Sequence, residues 1–460
     1  MSMNTFSVEG AQVVVVGAAR SGVAAAELLT RRGAHVTLTD QKPVIAASDH
    51  FRSAGVQLEL GVADAPALQQ ADLVVISPGV PMDLPALAAV RVRGIPVIGE
   101  LELAFRWLRG RVVAITGTKG KSTTTTLVGR MLETAGRRVL VAGNIGVPLS
   151  SQVEQSTEDT VHVVEASSFQ LETTDTFRPW IAALLNFSPD HLDRHPDEAA
   201  YGRAKARVFA NQTAAEWAVI NADNAAALSL ATSARAKRLR YAVDNIAQAD
   251  VFVERDFIWQ RTSEGPTPLV PLASIELAGR HMLSNVAAAT AICLAAGVSA
   301  EPMARALGGF TGLEHVMEPV ASLGRVRFVN DSKATNVDAA GRSIESFDRV
   351  VAILGGRYKG GAFEDLREAL SERGRGVVAM GEAAPMIRQA LDGVVQVVDA
   401  ESMADAVRKA LELAWPDGVV LLAPACSSFD MFADYAGRGR AFKEEVLRVV
   451  NQHPDGGPGG

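Results

Sequence analysis

Ala114–Thr126 reads AITGTKGKSTTTT, with the apolar run Val112–Ile115 entering it and LVGRMLETAG leaving it. A strand, a turn with two glycines, a Lys-Ser pair and a helix, in that order, make a phosphate loop. Backbone N–H groups in such a turn at a helix N-terminus form an anion cradle. Gly117, Thr118, Lys119, Gly120, Lys121, Ser122 and Thr123 are therefore the candidate nucleotide contacts, which the loop alone leaves open among an ATPase, a kinase, a ligase and a GTPase. Lys121 would reach the β- and γ-phosphates, and the Ser122 hydroxyl would ligate Mg²⁺. A full P-loop has glycine five positions before Gly120, where Ile115 stands, so this is a shortened variant. The plain alternative is a structural strand-to-helix turn; the coincidence of all four features disfavours it.

Outward from this loop the same grammar repeats. Val13–Val16 precedes GAARSG, Leu73–Ile76 precedes SPGVP and Val161–Val164 precedes EASSF; later, Val351–Leu354 precedes GGRYKGG and Val419–Leu422 precedes APACSS. Short continuous apolar runs suit strands buried on both faces, and their alternation with helices predicts mostly parallel sheets. The fold class is α/β, and ligands should gather at the carboxyl ends of the strands. At roughly 150 residues per domain, 460 residues imply three domains. Gly99–Arg111 and Gly308–Leu313 read as the joints. The expected division is a Rossmann-like domain over 1–108, a central P-loop-type domain over 109–312 and a second Rossmann-like domain over 313–452. The tail 453–460, HPDGGPGG, has nothing to bury and is expected to be disordered.

Composition excludes several classes. Apolar residues are 48%, charged residues 21% and aromatics 5%, which favours a layered soluble α/β protein. A net charge of −7 argues against a general nucleic-acid binder. Two cysteines, Cys293 and Cys426, cannot build a disulfide framework or a four-cysteine zinc site, and fit a reducing cytoplasm. No run approaches the roughly 18–20 apolar residues of a membrane span, and MSMNTFSVEG lacks a signal-peptide layout.

Three constellations narrow the chemistry of the middle piece. Glu165 ends the run VHVVE, from which a carboxylate can approach Mg²⁺ beside the phosphates; a solvent-facing glutamate is the alternative. SPDHLDRH offers Asp190, His191, Asp193 and His195 either as divalent-metal ligands or as a capped surface turn. AYGRAKARVF sets Lys205 four positions after Tyr201 among apolar and basic neighbours.

GTKGKST, EASSFQLE, NFSPDHLDRH, the Tyr201–Lys205 spacing and NADN resemble the central domain of the Mur ligases. DSKATN, LGGRYKGG and PACSSFDMF further resemble the branch that adds D-glutamate to UDP-N-acetylmuramoyl-L-alanine, and the motifs run in order across nearly the whole chain. The resemblance implies an ATP-dependent amide ligase of cytoplasmic peptidoglycan synthesis, acting as a monomer through an acyl phosphate and a tetrahedral intermediate. It implies that Lys121, Asn144, His191 and Lys205 serve catalysis. Ser122, Glu165, His191 and Lys205 would hold two Mg²⁺ ions, Lys205 once carbamylated by CO₂; a salt-bridging lysine is the alternative. Asn285 and Asp331 join the ATP contacts. Lys333, Thr335, Lys359, Ser428 and Tyr435 would bind the incoming amino acid, although Ser428 also reads as a helix cap.

The first loop, Gly17–Gly22, has the outer glycines of GxGxxG but lacks the middle one, so a degenerate dinucleotide site stays open on residues alone. The resemblance implies instead a UDP-substrate site of Ala18, Ala19, Arg20, Ser21, Asp40, Gln41, Ser77, Gly79, Asn144, Ser167 and Gln170. Two positions depart from the family pattern. Met282 follows His281 where the family has asparagine, and Val316 follows His315 where it has arginine. Loss of such an arginine would weaken nucleotide binding by ~1–3 kcal/mol. A ligase for a different amino acid and a non-catalytic nucleotide-binding regulator are the rival readings.

Overall fold

Gln12–Val16 shows why the short apolar runs become buried strands. Val13 and Val15 pack with Ala25 and Leu29 of the helix Arg20–Arg31, whereas Val14 packs on the opposite face with Leu68, Leu87 and Val90. With a side-chain period of two, both faces need cover, and the apolar run is therefore unbroken.

The computed structural model describes residues 6–45, 48–62, 65–192, 194–275, 280–310, 312–358 and 361–453. The expected tail beyond His453 lies outside them. The chain forms two compact units, Met1–Phe310 and Thr311–Gly460.

The first unit carries two sheets. One contains β1 (Gln12–Val16), β2 (His35–Asp40), β3 (Gln57–Leu60), β4 (Leu73–Ile76) and β5 (Val97–Gly99) in the order β3-β2-β1-β4-β5. All its pairings are parallel. The other contains β6 (Arg111–Thr116), β7 (Arg138–Gly143), β8 (Thr160–Glu165), β9 (Ile181–Leu184), β10 (Trp217–Asn221), β11 (Lys237–Ala242), β12 (Val251–Glu254), β13 (Phe257–Thr262) and β14 (Gly265–Pro271). Its order is β14-β13-β12-β11-β10-β9-β6-β8-β7. Leu28, Leu101 and Ala104 from the first sheet's helices enter the core of this second sheet.

The second unit holds β15 (Glu318–Leu323), β16 (Val326–Asn330), β17 (Val350–Gly355), β18 (Gly374–Met380), β19 (Val397–Ala400) and β20 (Val419–Leu422), ordered β15-β16-β20-β17-β18-β19. Val350, Ala352 and Leu354 face one core and Val351 and Ile353 the other. The α/β, mostly parallel class expected from the sequence is the one observed.

The antiparallel exceptions are β12–β13, β13–β14 and β15–β16. Here short turns such as Ser263-Glu264 join neighbouring strands without a crossover helix, which only antiparallel pairing permits. Among the described residues, no helix is long and apolar enough to cross a membrane.

Both parallel arrangements of the first unit reverse direction of strand order at a definite place. In the first sheet this is between β1 and β4, and in the second it is around β6, flanked by β8 and β9. Crevices at the carboxyl ends open at such switch points.

Candidate active site

The phosphate loop follows β6 at that second switch point. Gly120 precedes the helix Lys121–Thr134 with φ 79°, a left-handed conformation that glycine adopts without a Cβ penalty. A Cβ there would also overlap Asn285 Oδ1, so Asn285 packs directly on the loop. The Asn285 amide in turn points at the Met282 sulfur, 3.8 Å away. The departure at Met282 thus replaces one polar group with a buried, polarizable support for Asn285.

A clamp fixes the rest of the loop. Asn186, just beyond β9, accepts from Lys119 N–H at 2.8 Å and donates to Lys119 C=O at 3.0 Å. Its carbonyl accepts from Thr118 N–H at 3.1 Å. Thr118 Oγ1 exchanges bonds with the Ser188 backbone, both at 3.1 Å. Asn186 was not among the residues singled out from the sequence. Its position immediately after the apolar run WIAALL, residues 180–185, is the signal that finds it.

Two lysines converge on one carbonyl. Lys121 Nζ donates to Gly117 O at 3.0 Å and to Thr118 O at 2.9 Å. Lys205 Nζ donates to the same Gly117 O at 2.7 Å and lies 4.6 Å from the Tyr201 ring centre. Lys205 is buried, and its pKa falls to about 6. Burial is the main cause and the Lys121 charge adds to it, against the opposing pull of Asp190 and Glu165. Glu165 pairs in register with Ile115 across β8–β6, which brings its carboxylate beside the loop. Its Oε1 accepts from Asn144 Nδ2 at 2.7 Å.

His191 adopts φ 55° and sets its ring edge-on to Phe169 at 5.0 Å. His195 instead turns inward, 3.0 Å from Ser168 Oγ, and burial holds its pKa below the ordinary histidine range. Of the Asp190–His195 quartet, His191 and His195 thus face different surroundings, and Asp193 lies outside the described residues. Among the described residues, no three His, Cys, Asp or Glu side chains are grouped to hold a metal.

A single oxygen site nevertheless fits Mg²⁺. Glu165 Oε2 is buried and lacks a hydrogen-bond partner among the described residues. A sealed carboxylate oxygen without a donor is costly unless a cation meets it, and oxygen ligands suit Mg²⁺.

The first switch point opens a cavity of about 500 Å³. Ala19, Arg20, Ser21, Asp40, Gln41, Ser77, Gly79, Asn144 and Gln170 line it, so nine of the eleven expected UDP-substrate residues share one wall. Ala18 and Ser167 are not on that lining. Ala18 N–H is bonded to Asp40 Oδ2 at 2.7 Å, and Ser167 forms a reciprocal capping box with Gln170. Val62, Leu68, Leu84 and Leu87 supply an apolar side. Gly22 is required here, because a Cβ would overlap Gly17 O. Arg194 Nη2 donates to Val80 O at 2.6 Å, joining the His191 loop to the cavity's rim; sequence reading had passed it over.

In the second unit Asp331 is buried. It accepts from Met317 N–H at 3.1 Å and from the Ser343 hydroxyl, and burial raises its pKa to about 6. Lys333 and Thr335 follow on the same loop. Ser428 is 2% exposed and its carbonyl takes bonds from Met431 and Phe432. It does not cap the next helix; Asp434 does, at Tyr435–Gln452. Tyr435 is 40% exposed and stands edge-on to His315. Lys359 lies outside the described residues. Val316, at the second departure from the pattern, donates its N–H to Leu313 O at 3.0 Å.

Comparison with known proteins adds the family. Residues 11–99 match the Mur ligase MurD-like N-terminal domain, 115–293 the Mur ligase middle domain and 317–426 the Mur ligase glutamate ligase domain. A UDP-N-acetylmuramoylalanine--D-glutamate ligase of Koribacter versatilis is 43% identical over 449 residues, covering 97% of this chain and 99% of the relative. Its counterpart from Acidobacterium capsulatum is 45% identical over 445 residues, covering 95% and 96%. The solved UDP-N-acetylmuramate-alanine ligase MurC of Thermotoga maritima shares the fold with TM-score 0.59 at 18% identity, over 95% of this chain and 99% of that one. A phosphate loop backed by two lysines and a buried carboxylate, in a chain alike from end to end to such relatives, settles the matter: the chain belongs to the Mur ligase family.

Proposed function

We propose that this chain joins D-glutamate to UDP-N-acetylmuramoyl-L-alanine at the expense of ATP, in cytoplasmic synthesis of the peptidoglycan precursor, and works as a monomer. A carboxylate is a poor electrophile at neutral pH. An oxygen of the acceptor's carboxylate attacks the γ-phosphorus of ATP, ADP leaves, and an acyl phosphate remains. The amine of D-glutamate then attacks the acyl carbon, and the tetrahedral intermediate collapses with loss of phosphate.

The observation that carries this reading is the meeting of Lys121 and Lys205 at Gly117 O beside the unpaired oxygen of Glu165. Phosphoryl transfer asks a protein chiefly for positioning and charge stabilisation, and both are concentrated there. In this reading Lys121 neutralises charge on the transferring phosphoryl group, while Gly117, Thr118, Lys119, Gly120, Ser122, Thr123 and Asn285 hold the nucleotide. Mg²⁺, when bound, would supply Lewis-acid stabilisation of phosphate oxygens. Ser122, Glu165, His191 and carbamylated Lys205 are its holders.

Carbamylation of Lys205 is supported by its neutral, buried amine: the nitrogen lone pair bonds to CO₂ carbon, a proton leaves, and the neutral amine becomes an anionic carbamate. Asn144 ties Glu165 to the cavity that would take the UDP portion, with its apolar side for uracil and the Ala18–Ser21 turn for diphosphate. Residues 1–108, 109–312 and 313–452 are assigned respectively to the UDP substrate, ATP and the amino acid. Lys333, Thr335, Lys359, Ser428 and Tyr435 would take glutamate's two carboxylates, for which cations and hydroxyls are suited donors. Phosphate release from ATP tests the reading: it should require both acceptor and D-glutamate and vanish in Lys121→Ala. Full turnover by that variant would refute it.

A further inference from the structure

Among the described residues Arg438 is the largest side chain sealed from solvent, at 2% exposure. It lies in the first turn of the helix Tyr435–Gln452. Among the described residues no carboxylate pairs with its guanidinium, which instead meets backbone oxygens and one hydroxyl. Nε donates to Ser332 Oγ at 3.1 Å and Nη1 to Gly355 O at 3.3 Å. Nη2 donates to Ser332 O at 3.0 Å and to Cys426 O at 3.1 Å. Burial brings its pKa down to about 10, which leaves it charged at neutral pH.

The three carbonyls come from three different places. Ser332 follows β16, Gly355 ends β17 and Cys426 follows β20, and these strands are adjacent in the order β16-β20-β17. The guanidinium thus sits where the third sheet's carboxyl-end loops converge. Ser332 Oγ also donates to Tyr435 O at 2.7 Å, which ties the helix start to the same point. A Cβ on Gly356 would come within 3.1 Å of Nη1, so the β17 loop lies directly against the cation.

Each anchored carbonyl is close in sequence to a residue assigned to the amino acid. Lys333 and Thr335 follow Ser332, Lys359 follows Gly355 by four positions, and Ser428 follows Cys426 by two. A buried cation without a counter-charge is costly unless its donors are met, so leaving this arrangement costs all three loops at once. Only a planar fork can address carbonyls on three sides; a lysine ammonium is a compact point charge on a flexible stem.

We propose that Arg438 is a positioning residue for the incoming amino acid. One guanidinium, shared by three loop carbonyls, holds the β16, β17 and β20 loops in the spacing that their binding side chains require, without touching the substrate. The proposal rests on the assignment of these loops to D-glutamate.

Steady-state kinetics of the full-length enzyme test it, with Arg438→Lys and Arg438→Ala beside the unaltered chain. Both variants should raise KM for D-glutamate about tenfold or more, with kcat and the KM for ATP changed less than about threefold. Methylguanidinium in the buffer should recover part of the lost D-glutamate affinity in Arg438→Ala and none in Arg438→Lys. An unchanged KM for D-glutamate, or a fall in kcat with every KM intact, would overturn the proposal. Should Arg438→Ala fail to fold by circular dichroism, Arg438→Lys decides alone; failure of both would mean that the residue merely supports the fold and would equally overturn it. An unaltered enzyme that ignores D-glutamate would instead remove the assignment of the loops, a separate result.

Discussion

An ordinary lysine with a pKa near 10.5 is about 0.1% neutral at pH 7.5, whereas one at about 6 is about 97% neutral. Lys205, sealed beside Lys121, therefore holds nearly a thousandfold more of the only form that can attack CO₂. The rate of carbamylation follows the neutral amine. At fixed CO₂ pressure it should rise through about pH 6 and be flat above about pH 7, where a surface lysine would still gain about tenfold per pH unit. Uptake of ¹³C-labelled CO₂, followed by NMR of the whole protein, reads this directly, and Lys205→Ala identifies the resonance. That variant should also lose about a hundredfold or more in turnover, equivalent to roughly 2.7 kcal/mol. A short carboxylic acid such as acetate, occupying the vacated space as an anion, should restore part of it. Uptake that climbs steadily through pH 9, no resonance at all, or full activity of Lys205→Ala would each refute the reasoning.

Other consequences follow from single contacts. Gly120→Ala would force an L-residue into a left-handed conformation at a cost of about 1–2 kcal/mol and push Asn285 aside. Titration with a non-hydrolysable ATP analogue should show about tenfold weaker binding or worse, and an unchanged Kd would contradict the loop geometry. Glu102 is fully buried and accepts from Asp175, Thr176 and Phe177 N–H, Thr176 Oγ1 and Arg106 Nε. Glu102→Gln places an amide donor against those donors and should cost about 2–4 kcal/mol in urea unfolding.

His162 has a pKa of about 4 because burial disfavours its charged form, and its Nε2 lies 2.8 Å from Ser156 Oγ. The unfolded chain binds this proton near pH 6.5 and the folded chain only near pH 4. Its contribution is thus intact above pH 6.5 and falls by up to about 3 kcal/mol as pH drops towards 4. Urea midpoints measured across that window should lose one proton's worth of slope in His162→Gln; an unchanged slope would exclude the linkage.

Much of the fold was readable because its signals are local. The runs before Gly17, Gly117 and Gly355 are contiguous, and the phosphate loop spans a dozen residues of one segment. Most expected UDP-substrate residues met at one cavity for a similar reason: β1, β2 and β4 of the first sheet and β7 of the second each deliver a post-strand turn to its lining. What escaped depends on pairings remote in sequence. Asn186 clamps Lys119 across 67 positions, and Arg438 reaches Ser332 across 106. Nothing in either neighbourhood announces the partner. The DHLDRH segment was open between metal ligands and a surface turn, since ligand-type side chains at short spacing say nothing about direction: His195 enters the core while His191 stays half-exposed. Ser428 reads in the sequence as either a cap or a ligand, and the cap of Tyr435–Gln452 is Asp434.

The central claim is that this chain joins D-glutamate to the acceptor's carboxylate at the expense of ATP. Phosphate release from ATP, measured with UDP-N-acetylmuramoyl-L-alanine and with D-glutamate, L-glutamate or diaminopimelate in turn, tests it most directly. Release with D-glutamate alone is the predicted result. Turnover with L-glutamate or diaminopimelate in its place, or none with any of the three from a protein that binds ATP, would contradict it.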